Sequence, residues 1–436
     1  MSRFRRWQLV AGACALLAVL LAAGAAAFLL TRPGDISNPG VEFHAQTQTP
    51  TPTPSPSPAP HKRAGDPADD FVWPVYGYTE GRTRYLAGPS LRPPYARLWS
   101  VHARSLLEFP PAIGGRTLYL LDNDGIVWAI GKRHGAVHWK RRVGVLAAST
   151  PAYGGGRLYV TVLSRAPGRP GRVLAMRASD GKILWSRSLP SRTESPPLLD
   201  SGRIYFGSED GTVYALRAGD GGVRWTFKAD GSVKGGLALS DGKLYFGDYA
   251  GKMYAIRRAD GSLVWRTGTS GAAFGLSSGQ FYSTPAVAFG RVYIGNTDHY
   301  VYSFGADHGK LAWRRGTGGY VYSSPAVADV PGGRPAVYLG SYDGRFYALD
   351  AKSGRTLWTY HDGGTISGGT TIVGDIVYFS NNRLKTTTGL GARTGRRVFK
   401  FNHGAFNPVV SDGERIYLTG SSSLYALRPK ASPTRR

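Results

Sequence analysis

The stretch ALRAGDGGVRW (residues 215–225) returns along most of the chain. Close copies are AMRASDGKILW (175–185), AIRRADGSLVW (255–265), SFGADHGKLAW (303–313) and ALDAKSGRTLW (348–358). AIGKRHGAVHW (129–139) and GLGARTGRRVF (389–399) keep the same frame with more change. The frame is an apolar pair, a turn with Gly, and an aromatic residue four places later.

Aligned on that aromatic, Trp99, Trp139, Trp185, Trp225, Trp265, Trp313, Trp358 and Phe399 stand 40, 46, 40, 40, 48, 45 and 41 residues apart. A repeat of this length is one blade of a β-propeller. Within a repeat, RIYFGSEDGTVYALRAGDGGVRW (203–225) alternates apolar and polar residues and breaks at Asp210-Gly211 and Asp220-Gly221. Alternation of period two interrupted by turn residues reads as strands joined by hairpins. A shorter apolar run such as STPAVAFG opens each unit, giving four antiparallel strands, A to D.

Pro151, Pro196, Pro285, Pro325 and Pro408 stand near the start of strand A. Proline costs a ladder hydrogen bond in a central strand but not at an edge or a first residue. Strand A is therefore expected innermost, around an open axis, with strand D and its Trp at the rim. After Phe399 the run NPVVSDGERIYLTGSSSLYAL (407–427) supplies strands A to C and no D, whereas ARLWSVHA (96–103) is a D strand with no blade before it. Joining them predicts an all-β fold: an eight-bladed propeller of four-stranded antiparallel blades, closed by the N-terminal strand. Gly135, Gly181, Gly221, Gly261, Gly309, Gly354 and Gly395 are expected at positive φ in the C-to-D turns. The aromatic residues are expected to fill the space between blades.

This frame resembles the repeat of the PQQ-like, or quinoprotein-type, β-propeller family, which includes quinoprotein alcohol dehydrogenases and BamB-type assembly lipoproteins. WPVYGYTEGRTRY (73–85) is similar to the segment that precedes the first blade in the quinoprotein branch. The resemblance covers about residues 71–427 and implies a propeller, but the family mixes enzymes with binding scaffolds. Its enzymatic branch implies PQQ, calcium, a catalytic Asp and a pair of adjacent cysteines. The one cysteine here is Cys14, in the N-terminal apolar run, and neither calcium ligands nor the Asp can be placed residue by residue. No cofactor is expected.

Arg3, Arg5 and Arg6 precede an uncharged, apolar segment over residues 9–30. That is long enough for a transmembrane signal-anchor helix, and the flanking charge predicts residues 1–8 in the cytoplasm and the rest outside the cell. Cleavage near residues 23–25 would instead give a secreted protein. Residues 31–70 read as an extracytoplasmic linker, because QTQTPTPTPSPSPAP (46–60) is too polar to bury and too proline-rich for helix or sheet. Residues 71–428 form the propeller, and 429–436 a basic tail.

The net charge is +26, of which residues 71–427 carry +21. A body this basic attracts polyanions. Outside the cell these are anionic lipid headgroups or anionic envelope polymers, and no nucleic acid is expected.

Few motifs carry chemistry. GLSSG (275–279) has the spacing of a nucleophile elbow around Ser277, but the elbow needs a strand running into a helix and this segment joins two blades. DNDG (122–125) is half a calcium loop without the remaining ligands, and reads as a hairpin turn. His134 and His138 sit beside a turn, and His299, His308, His361 and His403 fall in different blades or turns.

In an up-and-down blade the D-to-A and B-to-C loops share one face. These loops are longer and more varied than the A-to-B and C-to-D turns, so this face is the candidate binding surface. Its aromatic residues are Tyr249, Phe274, Phe281, Tyr282, Tyr320, Tyr322 and Tyr342, with Arg165, Arg169, Arg172, Arg383 and Lys385 in the loops. The expected function is a membrane-anchored, monomeric, non-catalytic platform for protein or envelope polymer. The alternatives are a PQQ-dependent dehydrogenase and a glycan-binding or glycan-cleaving propeller.

Overall fold

Strands of three to eight residues, joined by turns rich in Gly, fold into a ring of eight antiparallel sheets in the computed structural model. The structure describes residues 34–44, 67–88, 91–269 and 279–430, together with Leu17. Residues 37–436 make one compact unit. Blades 1 to 7 span residues 112–142, 152–189, 198–228, 238–268, 286–316, 326–361 and 371–401. Blade 3 is typical, with strands Leu198–Asp200, Arg203–Gly207, Thr212–Arg217 and Val223–Lys228 in order A, B, C, D.

Blade 8 is built from both ends of the unit. Val409–Ser411, Ile416–Gly420 and Ser423–Pro429 supply strands A to C, and Tyr95–His102 pairs antiparallel with the last as strand D, with Trp99 opposite Ala426. The His102 ring and the Ser423 hydroxyl meet across this seam at 2.8 Å. Without this strand the third strand of blade 8 would present an open edge.

The repeated frame explains how blades adhere. Trp225 lies on Gly261 of the next blade, where an added Cβ would stand 2.6 Å from the indole, and its Nε1 donates to the Arg258 carbonyl at 3.1 Å. Gly261 has φ +76°, so the residue that makes the turn also provides the flat surface for the ring. The same pairing joins Trp99 to Gly135, Trp139 to Gly181, Trp185 to Gly221, Trp265 to Gly309, Trp313 to Gly354 and Trp358 to Gly395. A tyrosine of strand B supports each indole from its own blade, as Tyr205 does for Trp225 at 5.9 Å.

The axis is not open. Residues 72–86 run around its inner wall and pair with the innermost strands. Val72–Trp73 pair with strand A of blade 1, and the carbonyls of Pro74, Glu80, Gly81, Thr83 and Arg84 accept from the backbone N–H groups of Tyr153, Leu239, Val287, Val327 and Ile372. Eight inner strands leave a ring of backbone groups without sheet partners, and this segment satisfies many of them. It needs Gly81, where a Cβ would meet the Val287 carbonyl oxygen at 2.9 Å.

Part of the 31–70 segment is also docked. Asn38 N donates to the Ala312 carbonyl at 2.7 Å, His44 N to the Phe289 carbonyl at 3.0 Å, and His308 Nε2 lies 2.8 Å from Glu42 Oε2. Arg291 donates to the Glu42 and Val41 carbonyls, so residues 38–44 strap the outside of blade 5. Asp69, in the short helix Pro67–Asp70, accepts from Arg116 and Arg133 of blade 1 at 3.1 Å. The Thr/Pro stretch 46–60 lies outside the described residues. Among the described residues no helix is long and apolar enough to cross a membrane; the 9–30 segment lies outside them except for Leu17.

Candidate functional site: an axial funnel

The position four residues before strand A supplies the cavity at the axis from six of the eight blades. From blade 1 to blade 8 it holds Glu108, Ala148, Glu194, Lys234, Tyr282, Tyr322, Ser367 and Ala405. Six of these, all but the two alanines, line a cavity of about 200 Å³ on the D-to-A face, together with Tyr342 and Asn407.

Its floor is Tyr76 of the axial segment. The Tyr76 hydroxyl donates to Asn407 Oδ1 at 3.0 Å, and its ring packs edge-on against Phe109 at 5.3 Å. Beneath it the Arg84 guanidinium stacks 4.7 Å from the ring centroid. Arg82 is fully buried and donates to the carbonyls of Leu237 (2.8 Å), Pro196 (3.3 Å) and Tyr76. Burial and then the Arg84 charge disfavour its protonated form, but those acceptors hold the guanidinium charged. The floor is therefore fixed to several blades at once and is rigid.

Tyrosines form one wall. Tyr282 and Tyr322 meet at 5.5 Å in a T-shaped pair, and Tyr322 and Tyr342 meet at 4.9 Å. Tyr249 packs on Tyr282 at 6.2 Å, and Tyr320 on Tyr322 at 6.0 Å. Burial, then the charges of Glu194 and Glu108, push the Tyr282 hydroxyl well above the ordinary phenol range, so it stays a neutral donor.

The opposite wall is charged. Lys234 Nζ lies 2.8 Å from Glu194 and 2.9 Å from Glu209, whose other oxygen takes Arg192 Nε at 2.5 Å. Burial works against the Lys234 ammonium, yet the two carboxylates outweigh it and leave its pKa raised. Burial lifts the Glu108 carboxyl, a hydrogen bond from Asn123 at 3.3 Å opposes the rise, and the Glu194 charge adds to it. The arrangement offers ring faces, phenol hydroxyls, carboxylates and one ammonium to a ligand.

PQQ is a planar tricarboxylate, and the residues present do not fit it. The one cation among the cavity-lining side chains, Lys234, is already engaged by two carboxylates, and Glu108 and Glu194 would repel the ligand. Among the described residues no three His, Cys, Asp or Glu side chains gather around a common point.

Of the residues singled out from sequence, Tyr282, Tyr322 and Tyr342 line the cavity and Tyr249 and Tyr320 support them. Phe281 is fully buried in the core between blades 4 and 5, because its ring occupies the space beside Gly247. Phe274 lies outside the described residues, as does Ser277. Arg165, Arg169, Arg383 and Lys385 are exposed on B-to-C loops away from the funnel, and Arg172 donates to the Val143 carbonyl. Asp122 caps its hairpin by accepting from Ile126 N at 3.0 Å and Trp128 Nε1 at 2.9 Å. Glu108, Glu194, Lys234, Asn407 and Tyr76 escaped the sequence reading. Counting back four residues from each strand A finds the first three.

The family model of outer membrane protein assembly factor BamB matches residues 123–279 and 209–435. This chain belongs to the BamB family. The crystal structure of BamB from Moraxella catarrhalis is similar with a TM-score of 0.61 and 18% identity, covering 77% of this chain and 99% of that one. The quinohemoprotein alcohol dehydrogenase ADHIIG from Pseudomonas putida HK5 is similar with a TM-score of 0.70 and 14% identity, covering 85% and 83%. The quinohemoprotein alcohol dehydrogenase from Comamonas testosteroni gives 0.67 and 13%, covering 84% and 82%. At these identities the likeness to solved structures concerns the fold alone. No curated protein matches the chain by sequence. The BamB-family repeat thus accounts for the propeller.

Proposed function

We propose that this BamB-family propeller is a non-catalytic, monomeric binding platform held at the outer surface of the cell membrane by its 9–30 segment, and that the funnel face receives a segment of a partner protein. The observation that carries the reading is the tyrosine wall of Tyr282, Tyr322 and Tyr342 over a fixed floor, facing carboxylates engaged in ion pairs. Such a surface combines rigid aromatic anchors with polar partners, the pattern of binding hot spots. The Moraxella catarrhalis protein of the same family carries the name of an assembly factor, which supports a scaffold over an enzyme.

The test is photocrosslinking in intact envelopes from position 322 in the funnel and from position 310 in a C-to-D turn on the opposite face. A partner captured from 322 and not from 310 supports the reading, and equal capture from both contradicts it. A second reading, glycan binding, is favoured by the same tyrosine faces standing opposite Glu108 and Glu194, since sugar rings stack on aromatics while their hydroxyls donate to carboxylates. A glycan array with product analysis separates the two.

A further inference from the structure

Charge is unevenly spread around the ring. Residues 190–371, which hold blades 3 to 6, carry +4, whereas residues 91–189 carry +12 and residues 372–430 carry +6. Between Asp124 and Asp180 there are ten Lys or Arg and no acid, and between Asp375 and Asp412 six and no acid. These runs form blades 1, 2 and 7, with the closing strand Tyr95–His102 of blade 8 between blades 7 and 1.

Ion pairs occur in both arcs, and on the basic side Arg92 bonds Asp375 while Arg116 and Arg133 bond Asp69. In blades 3 to 6 Arg217 bonds Asp220, Lys252 and Arg266 bond Asp230, Lys243 bonds Asp307, and Arg258 bonds Asp200. On the rim of blades 7, 8 and 1, Arg396, Lys400, Arg97, Arg428 and Arg141 are exposed and have no acidic partner among the described residues.

We propose that the rim of blades 7, 8 and 1 is a docking surface for a linear polyanion, separate from the funnel. Shape selects the partner. Three of eight blades turn through more than a third of a circle, so a flat lipid surface meets one blade at a time, whereas a flexible chain of phosphates or carboxylates follows the convex rim and meets all three. The outer strands of blades 1 and 7 are exposed along most of their length, which leaves room for such a chain. The proposal is independent of the funnel reading.

The test uses the full chain in phosphatidylcholine nanodiscs and two fourfold variants. R97Q/R141Q/R396Q/K400Q neutralises the rim, and R224Q/K310Q/R345Q/K352Q neutralises as many exposed cations in blades 3 to 6. Binding of labelled polyphosphate and of polygalacturonate is read across a salt series, with phosphatidylglycerol vesicles as a third probe. The rim variant is expected to lose at least about tenfold in polyanion affinity, with a salt slope shallower by about 3, because each neutralised contact releases just under one counterion. The blade 3 to 6 variant is expected to change less than about twofold. Binding of both polymers assigns the surface to polyanions in general, and binding of polyphosphate alone restricts it to phosphates. Equal losses in the two variants, no loss in either, or rim-dependent capture of vesicles without polymer would each overturn the proposal. Unchanged thermal melting of both variants separates binding from folding.

Discussion

The junction between blades 3 and 4 and the junction between blades 7 and 8 use the same position differently. At the first, Trp225 lies on Gly261 of a continuous C-to-D turn. At the second, Phe399 occupies the place of the Trp, and no turn glycine stands opposite it, because strands C and D of blade 8 come from distant parts of the chain. Tyr95 of the closing strand fills the gap instead, meeting Phe399 at 5.1 Å and sharing a hydrogen bond of 2.7 Å with the Tyr378 hydroxyl. The conserved frame within the chain is therefore a property of the glycine-bearing turn: the large indole is used where a glycine can receive it.

The largest test of this comparison removes the closing strand. Deleting residues 98–101 takes the fourth strand from blade 8 and its Trp99 from blade 1, and calorimetry should show cooperative loss of the whole ring rather than of one blade. Next, Trp225→Ala should cost about 3–5 kcal/mol, as for other large-to-small core changes. Phe399→Ala should cost less, on the order of 2 kcal/mol, since its ring is only partly buried. Equal losses in urea denaturation would show that the two junctions are not different in kind.

Glycine substitutions divide the effect further. Gly261→Ala meets both the indole of Trp225 and a φ of +76°, whereas Gly202→Ala, in a hairpin of blade 3, meets a φ of +72° and no atom within 4 Å. The second change should cost about 1–2 kcal/mol from backbone strain, and the first about 1–3 kcal/mol more from overpacking. If the two melt alike, the glycine serves the turn alone.

A further effect is one of pH. Asp210 of blade 3 and Asp298 of blade 5 hold the same B-to-C turn. Burial raises Asp210, but bonds from Ser208 (2.5 Å) and Thr212 N (2.9 Å) outweigh it and hold the carboxyl low. Burial dominates at Asp298, which is pushed up to about 6 despite accepting from the Tyr302 hydroxyl at 2.5 Å. A folded pKa above the unfolded one means the folded state binds more protons, so this group's contribution declines as pH rises from about 4 toward 6 and is flat above. Asp298→Asn should remove that decline, recovering on the order of 1–3 kcal/mol at pH 7.5 relative to pH 4. Denaturant midpoints at the two pH values, for both chains, give the answer.

The blade count, the strand order and the closure were legible because period-two alternation, Asp-Gly turns and the aromatic four residues after each glycine repeat in register. The axial segment was not, because WPVYGYTEGRTRY has no repeat to align with and its partners are backbone groups, which carry no residue signature. The strap at 38–44 escaped for a similar reason: it is held by backbone groups and by Arg291 of blade 5. Tyr282, Tyr322 and Tyr342 stood out by their place in the long loops of one face, whereas Glu108, Glu194 and Lys234 become neighbours only when the ring brings one position of each repeat to the axis.

Ring closure by the N-terminal strand is tested most directly at its seam. In a Cys14→Ser background, His102→Cys and Ser423→Cys place two thiols where the native side chains touch at 2.8 Å. Mild oxidation is expected to join them within one chain in nearly all molecules and to raise the melting temperature of the whole propeller. Two thiols left free in folded protein, or a bridge formed only between chains, would contradict it.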